Sequence, residues 1–257
     1  MALSIYFLLG IIAGITAGLF GIGGGIVLVP VLSFLFAFSL PSAIGTSLAA
    51  MLLPVGLFAA LEYYRNGLAR PKVAVIIAIS MFVGVYFGSK IGILLPQATM
   101  KQIYAVFLLI TSFQYLGIKF PKTAKQKAPS SSVPADFSVK KILLLGIVAG
   151  IVSGLFGVAG GIVIVPMLLL LMKYDHKTAV GTSLMALLFP SRISGVILYY
   201  QSGNLDISIA TLIAIGLVIG SFIGAKINIS LNEKVAKKIF ATFLLVVSVY
   251  FFVTPLL

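Results

Sequence analysis

Residues 18–32 read GLFGIGGGIVLVPVL, five glycines in fifteen residues and no charge. Glycine in a helix interior costs roughly 1 kcal/mol relative to alanine, so the cluster Gly21, Gly23, Gly24 and Gly25 breaks a helix rather than builds one. The stretch lies inside an uncharged, apolar tract, residues 5–38. As one helix at about 1.5 Å per residue it would run roughly 50 Å and overshoot a bilayer core of about 30 Å. The tract is therefore expected to fold back at the glycines, with limbs near 5–20 and 26–38.

The rest of the chain is equally apolar. Of 257 residues, 61% are hydrophobic and 9% charged, with a mean hydropathy of +1.22, far from the composition of soluble domains. Further apolar tracts near 43–61, 73–95, 103–118, 142–172, 178–200, 207–229 and 239–253 are each long enough to cross or deeply enter a bilayer. Short connections leave no room for a soluble domain, and the expected class is an all-α polytopic membrane protein. The net charge of +13 would suggest nucleic acid in a soluble protein. Here the lysines flank apolar tracts, so the lipid bilayer is the expected partner and nucleic acid is not. Cysteine is absent, which removes disulfides and thiolate chemistry. The first twenty residues share the apolar core of a signal peptide but lack its basic start, and their pattern returns in mid-chain.

That return is a repeat with a constant offset of 136. Residues 154–168 read GLFGVAGGIVIVPML; GTSLAAMLLP from Gly45 matches GTSLMALLFP from Gly181, and Gly84, Gly88 and Lys90 match Gly220, Gly224 and Lys226. Ten of thirteen positions are identical between 18–30 and 154–166. The chain thus divides into a first transmembrane repeat, 1–118, a Pro-, Ser- and Lys-rich linker, 119–139, and a second transmembrane repeat, 140–257.

Lysine and arginine placement bears on how the copies face. If each glycine tract is a hairpin that enters and leaves on one side, each repeat adds three crossings and the second copy is inverted. The linker then lies in the cytoplasm, both termini lie outside, and fifteen of the eighteen Lys and Arg residues fall inside. If each glycine tract crosses once, the copies are parallel, and Lys173, Lys177, Lys226, Lys234, Lys237 and Lys238 all move outside. The charge bias favours two inverted-topology repeats, each a broken glycine-rich hairpin plus three transmembrane helices, in the cytoplasmic membrane.

Inverted repeats with discontinuous helices are a transporter architecture, with the solute site near the midplane. Non-helical backbone survives there only where protein or a water-filled cavity satisfies it. The second limbs begin at Gly24-Gly25-Ile26 and Gly160-Gly161-Ile162, and helix N-terminal amides attract anions. Gly21, Gly23, Gly24 and Gly25, with their counterparts Gly157, Ala159, Gly160 and Gly161, are therefore candidate substrate-binding positions. Close helix packing is the other use of small residues, and the duplicated cluster with a proline following at Pro30 and Pro166 favours a site. The run is not a nucleotide loop, since no Gly-Lys-Ser/Thr follows it.

The paired G-x-F-G-x-G/A-G-G-x-x-x-x-P and G-T-S-L segments resemble the TauE/SafE family of membrane permeases, and the likeness covers essentially the whole chain. It implies a transporter for a small sulfur oxyanion: sulfite, thiosulfate or an organosulfonate such as sulfoacetate. Ala159, standing where the first copy has Gly23, is the one small departure within the glycine motif.

Thr46-Ser47 and Thr182-Ser183 either donate to such an oxyanion or bond their own i−4 carbonyls. Arg192, with Gly56 in the matching place, either faces a cavity, an acid or an anion or snorkels to the interface. Tyr63, Tyr64, Tyr199 and Tyr200 are expected in interfacial belts. None of the five acids lies mid-span, and no carboxylate pair or ligand cluster is available. No enzymatic activity, metal or cofactor is expected. Moving one negative charge out of a negative interior gains about 2.3 kcal/mol per 100 mV, so an anion exporter working by alternating access needs no coupling acid. An anion channel on the same fold, or a non-transporting scaffold or receptor with a packed middle, are the alternatives.

Overall fold

The computed structural model describes residues 2–20, 23–54, 56–116, 138–228 and 233–253. These form twelve α-helices and no strand. The first copy holds α1 (Ala2–Phe20), α2 (Gly25–Leu35), α3 (Leu40–Ala50), α4 (Leu57–Arg65), α5 (Pro71–Leu94) and α6 (Gln97–Tyr115). The second holds α7 (Val139–Phe156), α8 (Gly161–Leu171), α9 (His176–Leu188), α10 (Ile193–Gln201), α11 (Ile207–Asn228) and α12 (Glu233–Val253). The 136-residue offset carries α2 onto α8 and α4 onto α10 without remainder. Local details repeat with it. Ser39 and Asp175 cap α3 and α9 by accepting the N–H of Ser42 and Thr178, and Ala37 and Lys173 both take φ near +54° in the preceding turns.

The α1–α2 tract doubles back as the glycines suggest: the ring of Tyr6, near the start of α1, lies 4.8 Å from that of Phe36, just beyond α2. The first limb, expected near 5–20, is α1 and ends at Phe20. Gly23, beyond it, takes φ +73°. Gly10, Gly14 and Gly18 stay inside α1, where the first two serve packing. A Cβ on Gly10 or Gly14 would collide with the backbone carbonyls of Ile213 and Leu217 on α11. Gly146, Gly150 and Gly154 of α7 make the same close seam with α5 at Ile77, Met81 and Val85. Contacts advance in step along both chains, so α1 runs parallel to α11 and α5 to α7. Small residues allow this approach, and the packing holds the two copies together.

Helices α3 and α10 are antiparallel, with Gly45 against Tyr199 and Leu48 against Gly195; α9 and α4 repeat the contact, with Gly181 against Tyr63. Equivalent helices α6 and α12 also lie antiparallel. Ser112 on α6 donates to the carbonyl of Ala241 at 2.8 Å, and Ser248 on α12 donates to that of Ala105, again at 2.8 Å. The 136-residue offset exchanges these two bonds.

By length and composition α5, α7 and α11 can each cross a membrane. The tracts 43–61 and 178–200 differ from the simple spans that hydropathy suggests. Each is two helices separated by a proline-containing break, at Pro54 and Pro190. The pair α9–α10 is together long and apolar enough to cross, with a bend of 46° between the two helices. A proline within such a run lacks the N–H that would continue the helix.

Candidate functional site

The two hairpin turns meet. Gly23 lies directly against Ala159, its own counterpart, and a Cβ on Gly25 would collide with the carbonyl of Gly157. Gly24, Gly25, Gly157, Ala159, Gly160 and Gly161 are all buried, so the centre is packed, turn against turn. Gly21 lies outside the described residues. The alanine in the second turn has a conformational reason. Gly23 is left-handed in the first turn while Gly24 takes φ −72°; in the second turn the left-handed residues are Gly157, with φ +68°, and Gly160, with φ +45°. Position 159 thus escapes the conformation that a side chain resists and carries a Cβ.

Three of the four GTSL hydroxyls part company with the turns or brace them. Ser47 donates to the Gly157 carbonyl at 2.9 Å, tying α3 to the second turn. Thr182, midway along α9, accepts from the N–H of Arg70 at 3.1 Å. Thr46 is buried without a hydrogen-bond partner and lines a cavity of about 400 Å³ between the start of α3 and the start of α11. Ser183 is buried beside Thr182.

Arg192 does not snorkel. It ends the break before α10, is 4% exposed, and reaches across to the other copy's break. Its Nη2 donates to the carbonyls of Met51 and Leu187. These are C-terminal carbonyls of α3 and α9, left without intrahelical donors, and the negative ends of both helix dipoles favour a cation there. Nε and Nη1 have no partner, nor has the neighbouring Ser191 Oγ. Met51 also joins Arg192 to the first turn, because its thioether methyl lies where a Cβ on Gly25 would stand. The arrangement is a buried cation, solvated on one side by carbonyls, with donors to spare beside two meeting glycine turns. Its chemistry suits an acceptor-only ligand.

Tyr199 departs from the expected belt. Its ring is fully buried over Gly45, and its hydroxyl donates to the Gly154 carbonyl at 3.2 Å; Tyr64 and Tyr200 are exposed. The sequence signal for this was Gly45 itself, which leaves room for the ring.

An all-helical chain with a duplicated glycine hairpin, spans that suit a bilayer and a buried unsatisfied cation belongs to the polytopic membrane transporters. The model of the family "Sulfite exporter TauE/SafE" matches residues 6–251, and the chain belongs to that family. It is 28% identical over 252 residues to a probable membrane transporter protein of Methanocaldococcus jannaschii, covering 93% of this chain and 89% of that one. It is 31% identical to the probable membrane transporter protein YunE of Bacillus subtilis, over 80% of this chain and 81% of the relative. To YdhB of the same organism, also a probable membrane transporter protein, the identity is 28%, covering 82% and 83%. No solved structure matches.

Proposed function

We propose that this transporter exports a small sulfur-containing anion, sulfite, thiosulfate or an organosulfonate, across the cytoplasmic membrane by alternating access. The observation that carries the reading is Arg192: a guanidinium 4% exposed, bonded only to carbonyls, with Nε and Nη1 unpaired. Burying an ion costs several kcal/mol unless it is paired, and an oxyanion would complete the pairing. The glycine turns, Ser47 and Ser191 flank that position or brace it, and together they form the midplane site. Thr46 and Thr182 lie toward opposite ends of the path.

The two copies are inverted in the membrane. The antiparallel course of α6 and α12 supports this, as does the hairpin return of Phe36 to Tyr6. So does the lysine bias that places linker 119–139 in the cytoplasm and both termini outside. The test is counterflow in proteoliposomes. Labelled sulfite should accumulate transiently against unlabelled internal sulfite and saturate with concentration; large unitary currents, or no flux for any oxyanion of the panel, would overturn the proposal.

A further inference from the structure

The two ends of the path differ in one duplicated contact. Thr182 on α9 accepts the N–H of Arg70, the residue before α5, at 3.1 Å. The 136-residue offset carries this pair onto Thr46 on α3 and Asp206, the residue before α11. There the bond is not made: Thr46 Oγ1 is buried and has no partner. In its place lies the cavity of about 400 Å³, lined by Phe38, Ser42, Thr46, Tyr200, Leu205 and Asp206. The neighbouring positions differ too, since Ser42 donates to Asn204 at 3.3 Å where the other end has Thr178 and Leu68. Ser42 is partly exposed, whereas its counterpart Thr178 is buried.

A contact written twice in the sequence and made at only one of its two places fits a two-position device. Two arrangements of equal chemistry interchange readily, since closing one end gains what opening the other loses. We propose that Thr182 with the Arg70 N–H, and Thr46 with the Asp206 N–H, are the alternately closed latches of the transport path. The cavity is then the open mouth of the state described here. This rests on the alternating-access reading above and adds the residues that perform it. The mouths also differ in charge: Arg70 stands at the latched end and attracts an anion, and Asp206 stands at the open end and disfavours its re-entry.

The absence of cysteine from the chain makes the test direct. Ser42→Cys and Thr178→Cys, made separately, are labelled with a membrane-impermeant maleimide in vesicles of each orientation. Ser42→Cys should react from one face at least tenfold faster than Thr178→Cys reacts from either. Adding Thr182→Val should raise the Thr178→Cys rate about fivefold, the weight of one hydrogen bond, and lower the Ser42→Cys rate. Thr46→Val should do the reverse, and serine at either position should restore the parental rates. Shifts of the same sign from both valine variants, or no shift from either, would overturn the latch. Should the valine variants fail to insert, the parental pair still decides: sulfite must slow one cysteine while it speeds the other, and equal reactivity at both positions refutes the proposal. Reciprocal valine shifts without any sulfite flux would leave the latch standing and remove the substrate reading. Saturable flux with equal labelling would do the opposite.

Discussion

Replacing Arg192 by methionine separates an anion-binding guanidinium from a structural strut. The side chain keeps an unbranched apolar stem, is shorter and loses its donors. Two carbonyls, Met51 and Leu187, lose their partner, at about 1–3 kcal/mol each. Against this, the variant escapes the burial of an incompletely paired ion, which costs several kcal/mol. The two terms nearly cancel, and the variant should unfold within a few degrees of the parent when no anion is present. Binding behaves differently. Nε and Nη1 are unpaired, and a hydrogen bond from a charged donor contributes about 1.5–3 kcal/mol. Losing both removes about 3–6 kcal/mol, or two to four decades of affinity at about 1.4 kcal/mol per decade. The assay is thermal unfolding in detergent across a sulfite titration, paired with proteoliposome counterflow. The parent should be stabilised by about 2.7 kcal/mol once sulfite reaches about a hundred times its Kd. Arg192→Met should show no sulfite-dependent shift and no counterflow. Arg192→Lys, which keeps the charge and loses the planar fork, should fall between. A methionine variant stabilised by sulfite as strongly as the parent refutes the reasoning, and so does one that is grossly unstable yet still transports.

Three further outcomes follow from the geometry. Gly160→Ala should cost about 1–2 kcal/mol of stability for its left-handed backbone; Ala159→Gly should be nearly neutral, as thermal unfolding of the pair would show. Gly14→Val should prevent α1 from seating against Leu217 and Gly220, losing about 3 kcal/mol or more by overpacking, seen as loss of monodisperse protein on size exclusion. Asp175 caps α9: burial pushes its carboxyl up, but hydrogen bonds from the Thr178 side chain and the backbone outweigh this and hold it below its usual value. Because the folded form binds its proton less readily than the unfolded chain, the cap's stabilisation is full above the usual carboxylate pKa and is lost as pH falls through the depressed one. Asp175→Ala should therefore lower stability by about 1 kcal/mol at pH 7 and by progressively less below pH 4 in acid unfolding curves.

The offset of 136 made most of the helix order legible, because a duplicated apolar pattern fixes both copies at once: α2 and α8 start where the limbs were expected, at Gly25 and Gly161. The breaks at Pro54 and Pro190 were hidden because hydropathy stays high through them and only backbone geometry changes. The role of Gly10 and Gly14 was likewise hidden, since a glycine that turns the chain and one that admits a neighbouring backbone read alike. In the candidate site, the glycine clusters and Arg192 stood out as residues too costly for lipid. What they touch did not. Arg192 meets Met51 across 141 positions, and no local pattern announces such a partner. Thr46 and Thr182 look interchangeable in the sequence, and only the fold shows that one is bonded and the other is not.

The twin serine bonds between α6 and α12 bring a kind of insurance. Ser112 and Ser248 fasten the same seam from opposite sides, seven residues apart along each helix at Ala105 and Ala241. Mutating one leaves a spare fastener about two turns away, and the register survives. Damage to this joint should therefore cost about 1 kcal/mol when single and loosen the register only when double.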